Sequence, residues 1–454
     1  MRTRVAAACC VLVLALAGCT ATGAIRAEKG PSGPSRPSSV DEPLYGIEWD
    51  GRPAALVRLH PTTLRPYAGS RVGVEDFTDA WSFSPDRSRV VLARKTYEGF
   101  PAKIRFVDVA RGRTLRAMNL HTPGYVVATA WPSPDRVLVV VQRTHDRSAS
   151  AIVRLVDPAG RRTLANQKLT GEVQGIAHTP QGLVLLVAPV GRMGHPRLAV
   201  ARADGTVRTV RLRHITAGAI YPREDTENND PIFRTHQPGL AVDTARMRAF
   251  VVDADHTVAK VDLRTLTATA RTTHRPTSAL GLLRRLFETP ALAKGMNGPI
   301  RHAVWLGHGR LAVAGTNYRT THGREGDLTM RSVPAGLTVI DTQSWTAHVI
   351  DAHASDLAYA DGVIAAYGSA YDSAGDQRKG TGLTAYTPDG AKLYHRFGQQ
   401  TVWTVTARGD TAYVNIDGAA ADGARPTVLD LGDGRVLHTL DRGSHPGLLL
   451  PSTP

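Results

Sequence analysis

The sequence predicts an all-β fold built from repeated four-strand units, and three observations predict it. Apolar runs of about four to six residues recur, rich in β-branched side chains and bounded by Pro, Asp or Gly turns. The runs fall into copies of about 45 residues. A turn residue, most often Asp, returns at the same place in successive copies.

The chain of 454 residues opens with a different kind of segment. Arg2 and Arg4 form a basic start, and Val5 to Leu16 is apolar apart from small residues. That stretch is short of the roughly 20 apolar residues a spanning helix needs, so it reads as a secretory signal. The ending Leu16-Ala17-Gly18-Cys19 resembles the lipobox of bacterial lipoproteins. The resemblance implies cleavage after residue 18 and a diacylglycerol on the Cys19 thiol. Of the three cysteines, Cys9 and Cys10 lie in the removed segment, so the mature chain keeps one and forms no internal disulfide. Residues 19–40 are rich in Ser, Pro and Gly and read as a flexible tether.

From residue 41 to 454 one domain is expected. Asp79-Ala-Trp-Ser-Phe-Ser-Pro-Asp86 leads into Arg89–Arg94, then Ile104–Asp108 and, past Gly112, Arg113–Arg116. The next copy runs Ala130-Trp-Pro-Ser-Pro-Asp135, Val137–Val141, Ile152–Asp157 and Arg162–Leu164. The turn between third and fourth strands falls near His60, Asp108, Asp157, Arg202, Asp262, Asp341, Thr387 and Asp430. Asp suits that place because its carboxylate accepts turn N–H groups. A period near 45 with two wider intervals is the range of β-propeller blades. Eight blades are expected, with seven as the alternative if the copy at Leu357–Tyr386 packs irregularly. The first copy supplies three strands, Leu44–Trp49, Ala54–Leu59 and Leu64–Tyr67, and His445–Leu450 is expected to add the missing one. Pairing the N- and C-terminal strands closes the ring and removes the free sheet edge.

Ser84-Pro-Asp86, Ser133-Pro-Asp135 and Val339-Ile-Asp341-Thr342 resemble the YncE-like and TolB-like propellers of the WD40-like group. The resemblance implies a fold over residues 41–450 and little about function. Trp81, Trp131, Trp305 and Trp403 recur on the innermost strand and are expected to fill space between blades.

The formal charge of +15 becomes +13 once Arg2 and Arg4 are removed. It is carried by 47 Arg and 8 Lys, the coding bias of a high-GC genome of actinomycete type. Scattered arginines and an extracytoplasmic address exclude nucleic acid and favour anionic lipid or acidic wall polymers. No Gly-x-Ser-x-Gly elbow, His-Glu-x-x-His motif or Gly-rich phosphate loop is present. Asp253-Ala-Asp255-His256 reads as an ordinary hairpin turn.

The long connections all fall between second and third strands or between blades, so one face carries them. Residues 213–238 hold Tyr221, Arg234 and His236, with an oxygen density of the kind that takes calcium but no EF-hand spacing. The leading reading there is a solvated polar lid without a cofactor. Residues 274–301 carry a helical apolar stripe, Ala279 to Phe287, that packs on the domain or docks on a partner. Residues 316–336 and 367–381 read as loops presenting Asn317, Tyr318, Arg319, Tyr371 and Arg378, residue types that anchor interfaces. The expectation is a membrane-anchored lipoprotein on the extracytoplasmic face, binding or scaffolding a protein, peptide or glycan. The alternative is a lyase- or lactonase-type propeller enzyme with a metal at the channel mouth.

Overall fold

The computed structural model describes residues 44–48, 54–74, 77–94, 96, 99–145, 148–220, 233–273, 298–322, 328–372, 377–417, 424–440 and 446–450. Among these every regular element is a strand, and no helix is present. The first strands are β1 (Leu44–Glu48), β2 (Ala55–Leu59), β3 (Val72–Gly73), β4 (Phe77–Phe83), β5 (Arg89–Arg94), β6 (Pro101–Asp108), β7 (Arg113–Thr114) and β8 (Met118–Pro123). They are followed by β9 (Tyr125–Ser133), β10 (Arg136–His145), β11 (Ser148–Asp157), β12 (Arg162–Thr170), β13 (Glu172–Thr179), β14 (Gly182–Ala188), β15 (Arg192–Gly194), β16 (Arg197–Arg202) and β17 (Val207–Arg211). Next come β18 (Ala217–Ile220), β19 (Arg234–His236), β20 (Gly239–Asp243), β21 (Arg248–Val252), β22 (Thr257–Asp262), β23 (Thr267–Thr272), β24 (Gly298–Gly307), β25 (Arg310–His322), β26 (Leu328–Pro334), β27 (Leu337–Asp341) and β28 (Ala347–Asp351). The rest are β29 (Asp356–Ala360), β30 (Val363–Asp372), β31 (Gln377–Tyr386), β32 (Lys392–Arg396), β33 (Val402–Arg408), β34 (Thr411–Asp417), β35 (Ala424–Asp430), β36 (Val436–Thr439) and β37 (Pro446–Leu450).

The strands form antiparallel meanders in chain order. They are β4-β5-β6-β7 with β8 on β6, β9-β10-β11-β12, β13-β14-β16-β17, β20-β21-β22-β23 and β33-β34-β35-β36. Two more, β24-β25-β27-β28 and β29-β30-β31-β32, are joined into one sheet through β26. The first sheet runs β3-β2-β1-β37, so the last strand lies beside the first, with Tyr45 opposite Leu450 and Ile47 opposite Leu448.

Both faces of each sheet are apolar because both are covered. On β10, Val137, Val139 and Val141 pack with Ile104 and Phe106 of the preceding sheet. Leu138 and Val140 between them pack with Leu183 and Leu185 of the following one. The pleat sends alternate residues to opposite faces, so an unbroken valine-leucine run feeds two interfaces at once. Among the described residues each of these apolar clusters is shared in this way by two successive sheets. One cluster joins the last sheet to the first, with Tyr413 and Val428 against Val57 and Leu59. Antiparallel four-strand sheets stacked face to face in chain order are the architecture of a β-propeller.

The turn residues act as expected. Asp157 accepts from the amides of Ala159 and Gly160, Asp262 from Arg264 and Thr265, Asp341 from Gln343 and Ser344, and Asp430 from Gly432 and Asp433. The Ser84 and Ser133 hydroxyls donate to Asp86 and Asp135 at 2.6 Å. Trp131 fills the gap to its neighbour, edge-on to Phe106 with its Nε1 donating to the Ser82 carbonyl, and Trp305 stacks on Phe250. Trp403 departs from the pattern and stays 45% exposed. The third strand expected at Leu64–Tyr67 forms later, at Val72–Gly73, with only a bridge from Leu59 to Pro66 before it.

Candidate functional site

The stretches 316–336 and 367–381, expected as loops, are largely strands. β27 pairs with β25 over Arg310–Val313 and then leaves it, and β26 takes its place from Thr316 to His322. β26 in turn pairs with β30, Arg331 opposite Asp372 and Ser332 opposite Tyr371. Two hairpins from successive sheets are thereby fused into one ridge. Directly opposed residues on antiparallel strands share a face. One such row runs Gly298, Tyr318, Ser332, Tyr371, Arg378. The predicted Tyr318, Tyr371 and Arg378 are therefore aligned across four strands. In the next row Arg331 Nη2 lies 2.8 Å from Asp372 Oδ2, tying the hairpins together. Arg319 is exposed beside it, opposite Arg331, and Val333, opposite Asn317, is 48% exposed.

Arg234 and His236 lie on β19, a short strand paired with β18, which in turn pairs with β15. Part of the expected polar lid is thus a small sheet. Past His236 the chain docks on β24: Gln237 N donates to the Pro299 carbonyl at 2.9 Å, and Arg301 N donates to the Gln237 carbonyl at 2.8 Å. Gly298 permits that approach, since its φ is +136° and a Cβ there would overlap the Thr235 carbonyl. The ridge and β19 are thus continuous through β24.

Two histidine–carboxylate pairs are built on β19 and β24. The His236 ring bonds the Asp253 carboxylate, which also accepts from Thr216 N at 2.8 Å and Ala254 N at 2.6 Å. Burial pushes the Asp253 carboxyl up, but the bond from His236 and the Thr216 amide bring it below the usual carboxylate range. His302 Nδ1 lies 3.1 Å from Asp356 Oδ1, and the Asp356 carboxylate also accepts from Leu357 N at 2.8 Å and Tyr367 Oη at 3.0 Å. Burial depresses the His302 imidazole, and the Asp356 charge and hydrogen bond more than offset this, so it sits above the ordinary value.

Between the pairs stands Arg301, 8% exposed. Its neighbour His302 projects to the opposite face of β24. The Arg301 side chain crosses Gly315, where a Cβ would lie 2.9 Å from Arg301 Cδ. Its Nη1 donates to the carbonyls of Ile300 and Thr316, and its Nη2 to Asn317 Oδ1 at 2.9 Å. Burial draws the guanidinium down to about 10, with partial opposition from the Asp253 charge.

Seven expected site residues, Arg234, His236, Asn317, Tyr318, Arg319, Tyr371 and Arg378, thus lie on one connected set of strands. Tyr221, Cys19 and the stripe Ala279–Phe287 lie outside the described residues. Residues 221–232, which carry most of the oxygen density that was weighed for calcium against a polar lid, lie there too. Among the described residues no group of three or more His, Cys, Asp or Glu is placed to hold a metal. Asp253 does close the expected hairpin turn, its N–H donating to the Thr257 carbonyl at 2.9 Å. Its buried carboxylate is also a partner of His236, which the sequence reading missed. Arg301, His302 and Asp356 were missed as well, and no local motif marks them.

No family model matches the chain, and no curated protein matches it. Among solved structures it is similar to BamB from Moraxella catarrhalis, at 13% identity and a TM-score of 0.44 over 84% of this chain and 93% of that one. It is also similar to the WD40 domain of Toxoplasma gondii coronin, at 12% identity and a TM-score of 0.39 over 87% and 84%. A third is Kuenenia stuttgartiensis hydrazine synthase, at 16% identity and a TM-score of 0.34. That match covers 49% of this chain and 61% of that one, under two thirds of its length.

Proposed function

We propose that the chain is a lipid-anchored, extracytoplasmic β-propeller of eight blades that binds a protein, peptide or glycan on its ridge-bearing face. The observation that carries the binding reading is the strand register that brings the half-buried Tyr318 and Tyr371 to either side of the buried Ser332, with Arg378 next in line. A surface held by backbone pairing loses less conformational freedom on binding than a loose loop, and Tyr and Arg are the residues that anchor interfaces.

Eight blades in a closed ring are supported by eight inter-sheet clusters, since an open arc of eight sheets has seven interfaces. Anchoring is supported by Leu16-Ala17-Gly18-Cys19 and the tether to residue 40. Two acyl chains hold a protein stably, at about 0.8 kcal/mol per buried CH2.

A second reading, a propeller enzyme with a metal at the channel mouth, draws on one observation. His302 is oriented by Asp356 on an innermost strand, the arrangement of a general acid–base pair. Affinity purification of the chain from membranes, with metal analysis of the same sample and mass spectrometry of Cys19, tests all three parts. Diacylated Cys19, a co-purifying ligand and no stoichiometric metal are expected. An unmodified Cys19 overturns the anchor, and a bound metal with no ligand favours the enzyme.

A further inference from the structure

Arg301 is a buried cation with no carboxylate in hydrogen-bond contact among the described residues. Its acceptors are two main-chain carbonyls and one amide oxygen, all neutral. No carboxylate among the described residues forms an ion pair with it. Asp253 acts on it through charge alone, its own oxygens being taken by His236, Thr216 and Ala254. A guanidinium has five N–H donors. Three are used here, which leaves the Nε–H and one Nη2–H without an acceptor among the described residues. Buried arginines ordinarily have a carboxylate, because an isolated charge is costly to desolvate. Burial pulls this guanidinium toward about 10, and the Asp253 charge offsets only part of that pull.

We propose that Arg301, oriented by Asn317, is an anion subsite that receives a carboxylate group of the ligand. Nε and Nη2 form one edge of the guanidinium fork, and that edge matches the two oxygens of a planar carboxylate. A single negative charge balances the single positive one. A phosphate dianion brings both its charges to the site and needs a second cation, whereas succinate presents one carboxylate and leaves the other in solvent; of the charged groups that act with Arg301, Asp253 is negative and His302 is already paired with Asp356. The subsite lies where β24 meets the ridge through Asn317, on the face of β25 that carries Arg319 and not on the face of Tyr318.

The inference rests on the binding reading for its ligand but is tested without it, so partner capture and anion binding fail separately. The full chain is titrated with succinate, inorganic phosphate or sodium chloride at matched ionic strength, and thermal unfolding is followed. Succinate is expected to raise Tm saturably, above phosphate, with no specific effect of chloride. Arg301→Lys keeps the charge and loses the fork, and succinate then binds about tenfold to hundredfold more weakly. Asn317→Asp supplies a carboxylate 2.9 Å from the guanidinium and abolishes the succinate response in a chain that still folds. The proposal is overturned if the wild-type Tm follows ionic strength alone. It is equally overturned if phosphate outperforms succinate, or if Asn317→Asp keeps the full response.

Discussion

The guanidinium of Arg301 donates to Asn317 Oδ1 at 2.9 Å, joining an innermost strand to the base of the ridge. The bond matters to folding as well as to binding, because both groups sit on paired strands. Asn317→Ala removes the one side-chain acceptor of a buried cation. A loss of about 1.5–3 kcal/mol is expected, the range for a hydrogen bond to a charged group. Urea unfolding of the two chains measures it, and an unchanged midpoint refutes it.

Gly298 sets how closely β19 approaches β24. Its φ of +136° and the overlap a Cβ would make with the Thr235 carbonyl leave no room for a side chain. Gly298→Ala is expected to cost about 2–4 kcal/mol. It should also release His236 from its place beside the ridge. Hydrogen exchange at the Arg301 and Gln237 amides reports this directly, since both bond across the junction.

Leu59 and Leu185 are both fully buried, the first between the last and first sheets, the second between two sheets in mid-chain. If the ring closes, Leu59→Ala and Leu185→Ala should destabilise alike, each by about 2–5 kcal/mol. An open arc predicts a much smaller loss at Leu59, because its cluster would be a frayed end. Denaturant unfolding of the pair decides between them.

Two pH windows follow from opposite shifts. The amides of Gly160, Thr265 and Ser344 hold Asp157, Asp262 and Asp341 below the usual carboxylate range. A depressed folded value means stability that is present above the unfolded value near 3.9 and lost as pH falls through the folded one. His302 is shifted upward. Its contribution is full below the unfolded value near 6.5 and is lost as pH rises through the folded one. The combined contribution of these four groups should therefore be greatest between about pH 5 and 6.5, opposed below 6.5 by the buried His178, which burial shifts downward. His302→Gln should remove the fall on the alkaline side and leave the acid side unchanged. A wild-type profile flat above pH 6.5 contradicts the assignment.

The repeat was legible because its chemistry is local. An Asp that accepts the amides two and three residues on needs no distant partner, so Asp157, Asp262 and Asp341 mark their turns in sequence. The valine-leucine run of β10 likewise declares a strand buried on both faces. The ridge was not legible, although its residues were. Thr316 to His322 is polar throughout, with no alternation to signal a strand, because it is held by pairing with β26. His236–Asp253 and His302–Asp356 are contacts between separate strands, set by which sheets adjoin, and no spacing in the chain records them. Trp403 was misread because its periodic position matches the buried tryptophans while its side chain remains exposed.

The ridge is the centre of the functional account, and one measurement addresses it most directly. Wild-type chain and the Tyr318→Ala/Tyr371→Ala double variant are purified from membranes in parallel, and the material captured by each is quantified. Backbone pairing holds the ridge, so the variant should fold, with an unfolding midpoint close to wild type. The account predicts at least a tenfold loss of the captured ligand, since two interface anchors each contribute roughly 1–2 kcal/mol or more. Equal capture by a folded double variant would contradict it.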